Sequence, residues 1–141
     1  MNRAKQIRHG SVALALVLAL GTAGCAASAR SSGRSIGPDF YAGTWSGTFV
    51  ASNFDGDVDL DLAFADGEWS GTMVMGAMGD RLDGAITNFE FEENACSFMT
   101  YIQGGDLIFK GTVAEAKMTG TFEVFVEGEH ADGGTFSLTR Q

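Results

Sequence analysis

The sequence of 141 residues is poor in proline, cysteine and basic residues, and each shortage excludes a class of protein. A single proline and 20 glycines without a three-residue period exclude collagen. Two cysteines are too few for a disulfide scaffold. Nine lysines and arginines against 18 aspartates and glutamates argue against a nucleic-acid groove, which needs clustered bases. A hydrophobic content of 45% also excludes a disordered chain.

The charged residues are distributed very unevenly along the chain. Every acidic residue lies at or after Asp39, whereas five of the nine bases lie before it. The segment 39–141 therefore carries four bases and 18 acids, a formal charge of −14. We interpret this division as a short basic leader followed by one acidic domain.

The first 24 residues have the layout of a secretory signal. Three bases stand in residues 1–10, and the apolar run SVALALVLAL follows at 11–20, too short to cross a bilayer. The next residues, Gly21-Thr22-Ala23-Gly24-Cys25, resemble a bacterial lipobox, although Leu is usual where Thr22 stands. The resemblance implies that residues 1–24 are removed and that Cys25 is lipidated. Ala26 in place of Asp implies sorting to the outer membrane, on a side that the sequence does not specify.

Two alternatives for this region stay open. Cleavage after Ala29, within the A-x-A pattern Ala27-Ser28-Ala29, would release a soluble secreted protein. Cys25 could instead form a disulfide with Cys96, whereas a lipidated Cys25 would leave Cys96 as a lone, buried thiol. Residues 25–38 are small and polar, which is typical of a flexible tether that ends at Pro38.

From Asp39 onward the pattern is that of β-strands, and we find no helical period. Val58, Leu60 and Leu62 alternate with aspartates, and an Asp-Gly turn signal follows at residue 66. Similar alternation predicts eight strands, at approximately 44–52, 57–65, 68–75, 81–91, 95–103, 106–113, 117–126 and 134–140. We place turns at 53–56, 76–80, 92–94, 104–105, 114–116 and 131–133. Short links force antiparallel neighbours, so residues 39–141 are expected to form an up-and-down meander closed into a small barrel.

A repeated motif, apolar-x-Gly-small-apolar, supports closure of the barrel. It occurs around Gly47, Gly71, Gly84, Gly111 and Gly120, with a partial copy at Gly134. Each glycine shares a strand face with the apolar residues, so the glycines are predicted to point inward, where they let strands bend and walls approach. In the fourth strand the apolar phase switches after Ile86, which predicts a bulge near Thr87-Asn88.

The start of the first strand, Gly43-Thr44-Trp45, resembles the opening of the calycin group, which includes lipocalins, fatty-acid-binding proteins and avidins. The resemblance implies an eight-stranded barrel with Trp45 plugging one end. A second resemblance, to transferrin-binding surface lipoproteins, rests on Gly120-Thr121-Phe122 and Asp132-Gly133-Gly134-Thr135-Phe136. The Tyr-Gly-Pro of those proteins is missing here, so an iron-protein or haem partner is not expected. The chain looks most like short bacterial lipoproteins that share the glycine repeat and have no assigned role.

The predicted barrel interior is bulky and apolar, which favours a packed core over a ligand cavity, and any ligand held there would be apolar. The inward candidates are Trp45, Phe49, Leu60, Leu62, Phe64, Trp69, Met73, Ile86, Phe109, Phe122 and Phe136.

Two acidic clusters are weak candidates for a metal site. Asn53, Asp55 and Asp57 could hold a hard cation at a turn, but Asp57, Asp59 and Asp61 read better as a solvated strand face. Glu127, Glu129, His130 and Asp132 are predicted to share a hairpin loop, where their side chains could converge on a transition metal, although a single histidine in a polar turn is more often simply exposed.

No catalytic set and no cofactor motif is visible. The sequence therefore predicts a non-enzymatic, lipid-anchored envelope barrel that binds or interacts with a partner it does not name. Carriage of a small apolar ligand and weak cation binding are the alternatives.

Overall fold

The computed structural model describes residues 37–141, and these form an eight-stranded antiparallel barrel. A one-turn helix, α1 (Pro38–Tyr41), precedes eight strands. The strands are β1 (Gly43–Ala51), β2 (Asp55–Ala65), β3 (Glu68–Ala77), β4 (Asp80–Glu92), β5 (Ala95–Ile102), β6 (Gly105–Ala114), β7 (Lys117–Val126) and β8 (Glu129–Arg140). The predicted signal, Cys25 and most of the tether lie outside the described residues.

Each strand pairs with the next along the chain, and β8 returns to pair with β1, which closes the sheet. The register places Phe49 opposite Phe136 across the closing seam. Closure removes the exposed strand edges that an open meander would leave. The predicted fold class is therefore confirmed.

Tight turns account for the meander. Six of the seven hairpins have two-residue connections, and the first connecting residue in each has a positive φ, from 50° at Gln103 to 56° at Glu115. Four of these turns have glycine second, as in Asp66-Gly67. Such turns twist in the sense of the flanking strands and favour glycine.

The bulge predicted in the fourth strand is present. Thr87 pairs with Met99 and Glu90 with Ser97, so β4 has one more residue than β5 across this interval. Asn88 takes a φ of 52° there. The extra residue returns Phe89 and Phe91 to the inner face, where both pack against the core.

Two predicted boundaries are wrong. The last strand begins at Glu129 rather than at residue 134, because the turn is Glu127-Gly128 and the predicted link 131–133 lies within β8. A register shift with β7 occurs there instead. At the start of the domain, Pro38 is the first residue of the helix α1. We had predicted that Pro38 is the last residue of the tether and that no helix follows it. Proline suits this position because its missing N–H would be unpaired there in any case.

At the repeated glycines, the backbone of the adjacent strand comes very close. The close neighbour is thus the adjacent strand and not, as we had predicted, the opposite wall of the barrel. Gly111 pairs with Gly120 across β6 and β7. A Cβ atom on Gly120 would stand 2.1 Å from the carbonyl oxygen of Lys110 and 2.5 Å from the Cα of Gly111. Glycine is therefore required at this crossing because there is no room for a side chain. The backbone conformation itself does not require glycine.

Within residues 37–141, no helix has the length and apolar character needed to span a membrane.

Candidate functional site at the open end of the barrel

One end of the barrel is closed by α1. Tyr41 is buried, its hydroxyl donates to the carbonyl of Glu93 in the β4–β5 turn, and its own carbonyl accepts from the indole N–H of Trp45 at 2.8 Å. On the opposite side of α1, the guanidinium of Arg140 donates to the carbonyls of Phe40 at 3.1 Å and Ala42 at 2.6 Å. The helix is thus fastened on two sides, and we call this the closed end.

Aromatic rings pack beneath and beside α1. The ring of Tyr41 lies 4.2 Å from that of Phe91 and 6.4 Å from that of Trp69, between centroids. Trp69 is half-buried, and Phe64, 5.0 Å from Trp69, is 38% exposed. The prediction of Phe64 as an interior residue is therefore wrong. Phe64 lies on the inward face of β2, like Leu60 and Leu62. It is only one residue from the end of the strand, however, where the neighbouring strands no longer cover it.

The middle of the barrel is filled with side chains. Phe109 lies at the centre of an aromatic group, with ring centroids 5.1 Å from Phe98, 5.5 Å from Phe122 and 5.4 Å from Phe136. The other predicted interior residues, Trp45, Phe49, Leu60, Leu62, Met73 and Ile86, are buried as well. An eight-stranded barrel is just wide enough for side chains to fill, and this one is filled.

The other end, which we call the open end, has no covering helix among the described residues and contains a pocket of about 150 Å³. The lining is apolar apart from one amide. It consists of Phe49, Phe54, Met75, Ala77, Leu82, Ile102, Gln103, Leu107, Phe122 and Val124. Most of these residues lie near the ends of β1, β3, β5 and β7 or near the starts of β4 and β6. Phe54 lies in the β1–β2 connection and Gln103 in the β5–β6 turn. The floor is the Phe49–Phe122 contact, with ring centroids 5.8 Å apart.

Most of the exposed large apolar side chains in residues 37–141 are at the same end. Met78, in the β3–β4 turn, is 88% exposed, and Val50, Tyr101 and Val126 are exposed near the ends of their strands. Phe64 is the exception, at the closed end. The apolar pocket and most of the exposed apolar side chains are therefore found at the same end of the barrel.

Carboxylates are frequent at the same end of the barrel, and we call them the acidic rim. The strand ends and turns of the open end carry Asp55, Asp57, Asp80, Asp106, Glu127, Glu129 and Asp132. Among the described residues there, the one lysine or arginine is Arg81, whose guanidinium lies 3.0 Å from Asp59. The open end therefore has an apolar pocket and an acidic rim.

Of the two candidate metal clusters, Asn53 lies in the β1–β2 connection with Asp55 and Asp57 at the start of β2, and the structure does not bring the second cluster together. Within residues 37–141 no three His, Cys, Asp or Glu side chains are arranged to hold a metal ion. Glu127 lies in the turn and Glu129 begins β8, so the four residues of the second cluster do not share a loop. His130 packs its ring against Phe125, with centroids 5.5 Å apart.

Asp132 has a structural contact of its own. The hydroxyl of Ser52 and the backbone N–H of Gly133 bond to its carboxylate and hold its pKa below the usual range. The distance from the Gly133 nitrogen to the carboxylate oxygen is 2.7 Å. This carboxylate connects the β1–β2 turn to β8.

The thiol of Cys96 is buried in the barrel. Burial raises its pKa to about 11, although a hydrogen bond with the backbone of Gly111 works in the opposite direction. A thiol in this state is a poor nucleophile at neutral pH. Among the described residues, every buried side-chain nitrogen and oxygen has a hydrogen-bond partner.

Sequence reasoning missed most of the pocket. It identified Phe49 and Phe122 as inward, but not Met75, Leu107 or Val124. The inward phase of these residues could have been read from their strands. Their position at one uncovered end could not, because it depends on which end α1 covers.

The comparisons with known proteins give no relative from which a function could be taken. No protein-family model, no curated protein and no solved structure matches the chain. The site must therefore be interpreted from its own geometry.

Proposed function

We propose that this chain is a non-enzymatic, lipid-anchored barrel of the bacterial cell envelope that binds an apolar group at its open end. One observation carries the proposal: the filled interior leaves an apolar pocket of about 150 Å³ at the end that α1 does not cover. A cavity of this volume accepts about one benzene-sized ring or the end of a short alkyl chain.

The place where the chain enters the barrel supports the choice of end. α1 follows directly on the predicted tether, and Arg140 holds it at the closed end. If Cys25 carries the lipid, residues 26–37 connect the membrane to the closed end over at most roughly 40 Å. The open end is then free of the tether attachment.

Carriage of a ligand wholly inside the barrel is the weaker candidate. Pockets that enclose drug-sized ligands measure roughly 300–1,000 Å³. The pocket here is about 150 Å³, and the phenylalanines behind it leave the barrel centre filled. A ligand of this protein would therefore insert one end only.

The anchor is tested by labelling cells with a radioactive or clickable fatty acid. Cys25→Ser should abolish incorporation into the protein and its partitioning into detergent. Cys96→Ser is the matched control and should leave both unchanged. Incorporation that survives Cys25→Ser would show that the lipid is not on Cys25, and a parent chain without label would show that it carries no lipid. Either result would overturn the anchor and would leave the open-end pocket to be tested separately.

The pocket is tested by filling it. Ala77→Leu adds a branched side chain to the lining, whereas Ala114→Leu adds the same side chain at an exposed position of the closed end. The full chain in zwitterionic nanodiscs is titrated with 1-hexanol by calorimetry, with empty nanodiscs subtracted. We expect saturable binding that Ala77→Leu weakens at least about tenfold and Ala114→Leu leaves intact. Equal binding by the two variants would overturn the proposal.

A further inference from the structure

We propose that the open end selects amphiphiles with a positive charge: a small molecule with an apolar ring or short chain and an ammonium-type head. This inference rests on the proposed function, because it assumes that the pocket binds an apolar group. It goes further by naming the charge that the bound molecule carries.

The first step is the position of the rim acids relative to the pocket. Ala77, in the lining, pairs across the hairpin with Asp80. Leu107 directly follows Asp106 in β6. Three more carboxylates, Glu127, Glu129 and Asp132, belong to the β7–β8 hairpin, which continues from the lining residue Val124. Asp80 therefore lies on the same face as the lining residue Ala77, whereas Asp106 lies at the same end of the barrel on the outer face.

The second step is the lack of a compensating charge. Among the described residues of this end, Arg81 is the one lysine or arginine, and Asp59 already pairs with it. Lys117 and Arg140 belong to the closed end, and Lys110 lies in the middle of β6. Carboxylates therefore exceed basic side chains at this end, and a charged head left at the edge of the pocket meets a net negative potential that salt screens.

The third step is the chemistry that fits both parts. The apolar lining excludes a charged head from the pocket, since burying an unpaired charge is costly. The rim would repel an anionic head and would leave an uncharged one unaffected. An apolar group that carries a cation satisfies the pocket and the rim together, because its head stays at the water-exposed edge among the carboxylates.

The test compares probe molecules that have the same six-carbon alkyl chain and differ in their head group. Hexyltrimethylammonium, 1-hexanol and hexane-1-sulfonate are titrated into the full chain in zwitterionic nanodiscs, with tetramethylammonium as the head without a chain. The readout is the ¹³C-methyl NMR signal of Met75, which lines the pocket. Met118, fully buried near the closed end, is the internal control.

We expect Met75 to shift and saturate, with the cation binding at least about tenfold more tightly than the sulfonate at low salt and the alcohol between them. The difference should shrink towards about 0.5 M NaCl, where charges are screened. Tetramethylammonium alone should not shift the NMR signal of Met75, because it has no alkyl chain to insert into the pocket.

Charge-removing variants identify the responsible acids. Asp80→Asn with Asp106→Asn should reduce the preference for the cation, whereas Glu68→Gln with Glu115→Gln, at the closed end, should not. If the sulfonate binds as tightly as the cation, or if both pairs of variants act equally, the charge selection is wrong and the pocket stands. A shift with tetramethylammonium alone would also overturn the inference. If no probe moves Met75, the proposed function fails as well.

Discussion

The close pairing of β6 and β7 depends on two glycines, Gly111 and Gly120, which have no side chain. At the Gly111–Gly120 crossing, two backbones approach within the space that a single methyl group would need. The same residues set the shape of the interior, because the ring of Phe136 lies against the space at Gly111. A core that is packed to this density gains its stability from burial and loses it through small changes of volume.

Gly120→Ala should lower the free energy of unfolding by about 1–3 kcal/mol, because β6 and β7 must separate to admit the methyl group. Thr121→Val, next in sequence and outward-facing, is the control and should change it by less than about 0.5 kcal/mol. Urea unfolding of the full chain, followed by tryptophan fluorescence, measures both. Equal midpoints for the two variants would contradict the close approach.

Cys96 makes a second prediction at this scale, on pH dependence. Burial raises the pKa of its thiol from 9.0 to about 11, so the folded chain holds this proton more tightly than the unfolded chain. The stability due to this difference is complete below pH 9 and is lost as the pH rises through the folded-state pKa. Unfolding free energies measured between pH 8 and 11 should therefore fall more steeply for the parent than for Cys96→Ala. Parallel pH curves would show that the thiol is not protected.

At the scale of elements, the four-residue helix α1 is important because it covers one end of the barrel. α1 has no side-chain cap, and beyond two local backbone hydrogen bonds, from Phe40 to Gly37 and from Ala42 to Pro38, it is held by tertiary contacts. Tyr41 joins it to the β4–β5 turn, and Arg140 joins it to the end of β8. The closed end thus depends on a residue next to the C-terminus.

Arg140→Met should release α1 and lower the free energy of unfolding by about 1.5–3 kcal/mol, the range for hydrogen bonds to a charged group. Arg81→Met removes the exposed ion pair with Asp59 and should cost no more than about 1 kcal/mol. Denaturant curves of the two variants give the comparison, and hydrogen exchange at the amide of Ala42, which donates to the carbonyl of Pro38, should accelerate in the first variant only. A smaller loss for Arg140→Met than for Arg81→Met would contradict the account of the closed end.

Strand number, pairing and the β4 bulge could be predicted from the sequence because alternation and turn residues are local signals. The start of β8 could not, because Asp132-Gly133 gives the same local signal as a turn although it lies within a strand. α1 could not be predicted either, because four residues are too few to show the hydrophobic period of a helix. Phe64 shows a further limit, since alternation assigns a residue to a face but not to a depth in the barrel.

At the scale of the whole molecule, the barrel has two different ends. One end is covered by α1 and sealed with aromatic rings, and the other has an apolar pocket and an acidic rim. This difference could not be predicted from strand patterns, because it arises where the chain folds back across one end. The acidic excess was visible in the sequence, but its place at the open end depends on which strand ends meet.

The central claim is that an apolar ligand binds at the open end and does not enter the barrel. It is tested most directly by titrating 1-hexanol into the full chain, labelled at its methionine methyl groups, in zwitterionic nanodiscs. The account predicts that the NMR signal of Met75 moves and saturates while those of Met73 and Met118, in the filled interior, stay in place. Saturable shifts at Met73 and Met118 equal to that at Met75 would show that the ligand enters the barrel, and would contradict the account.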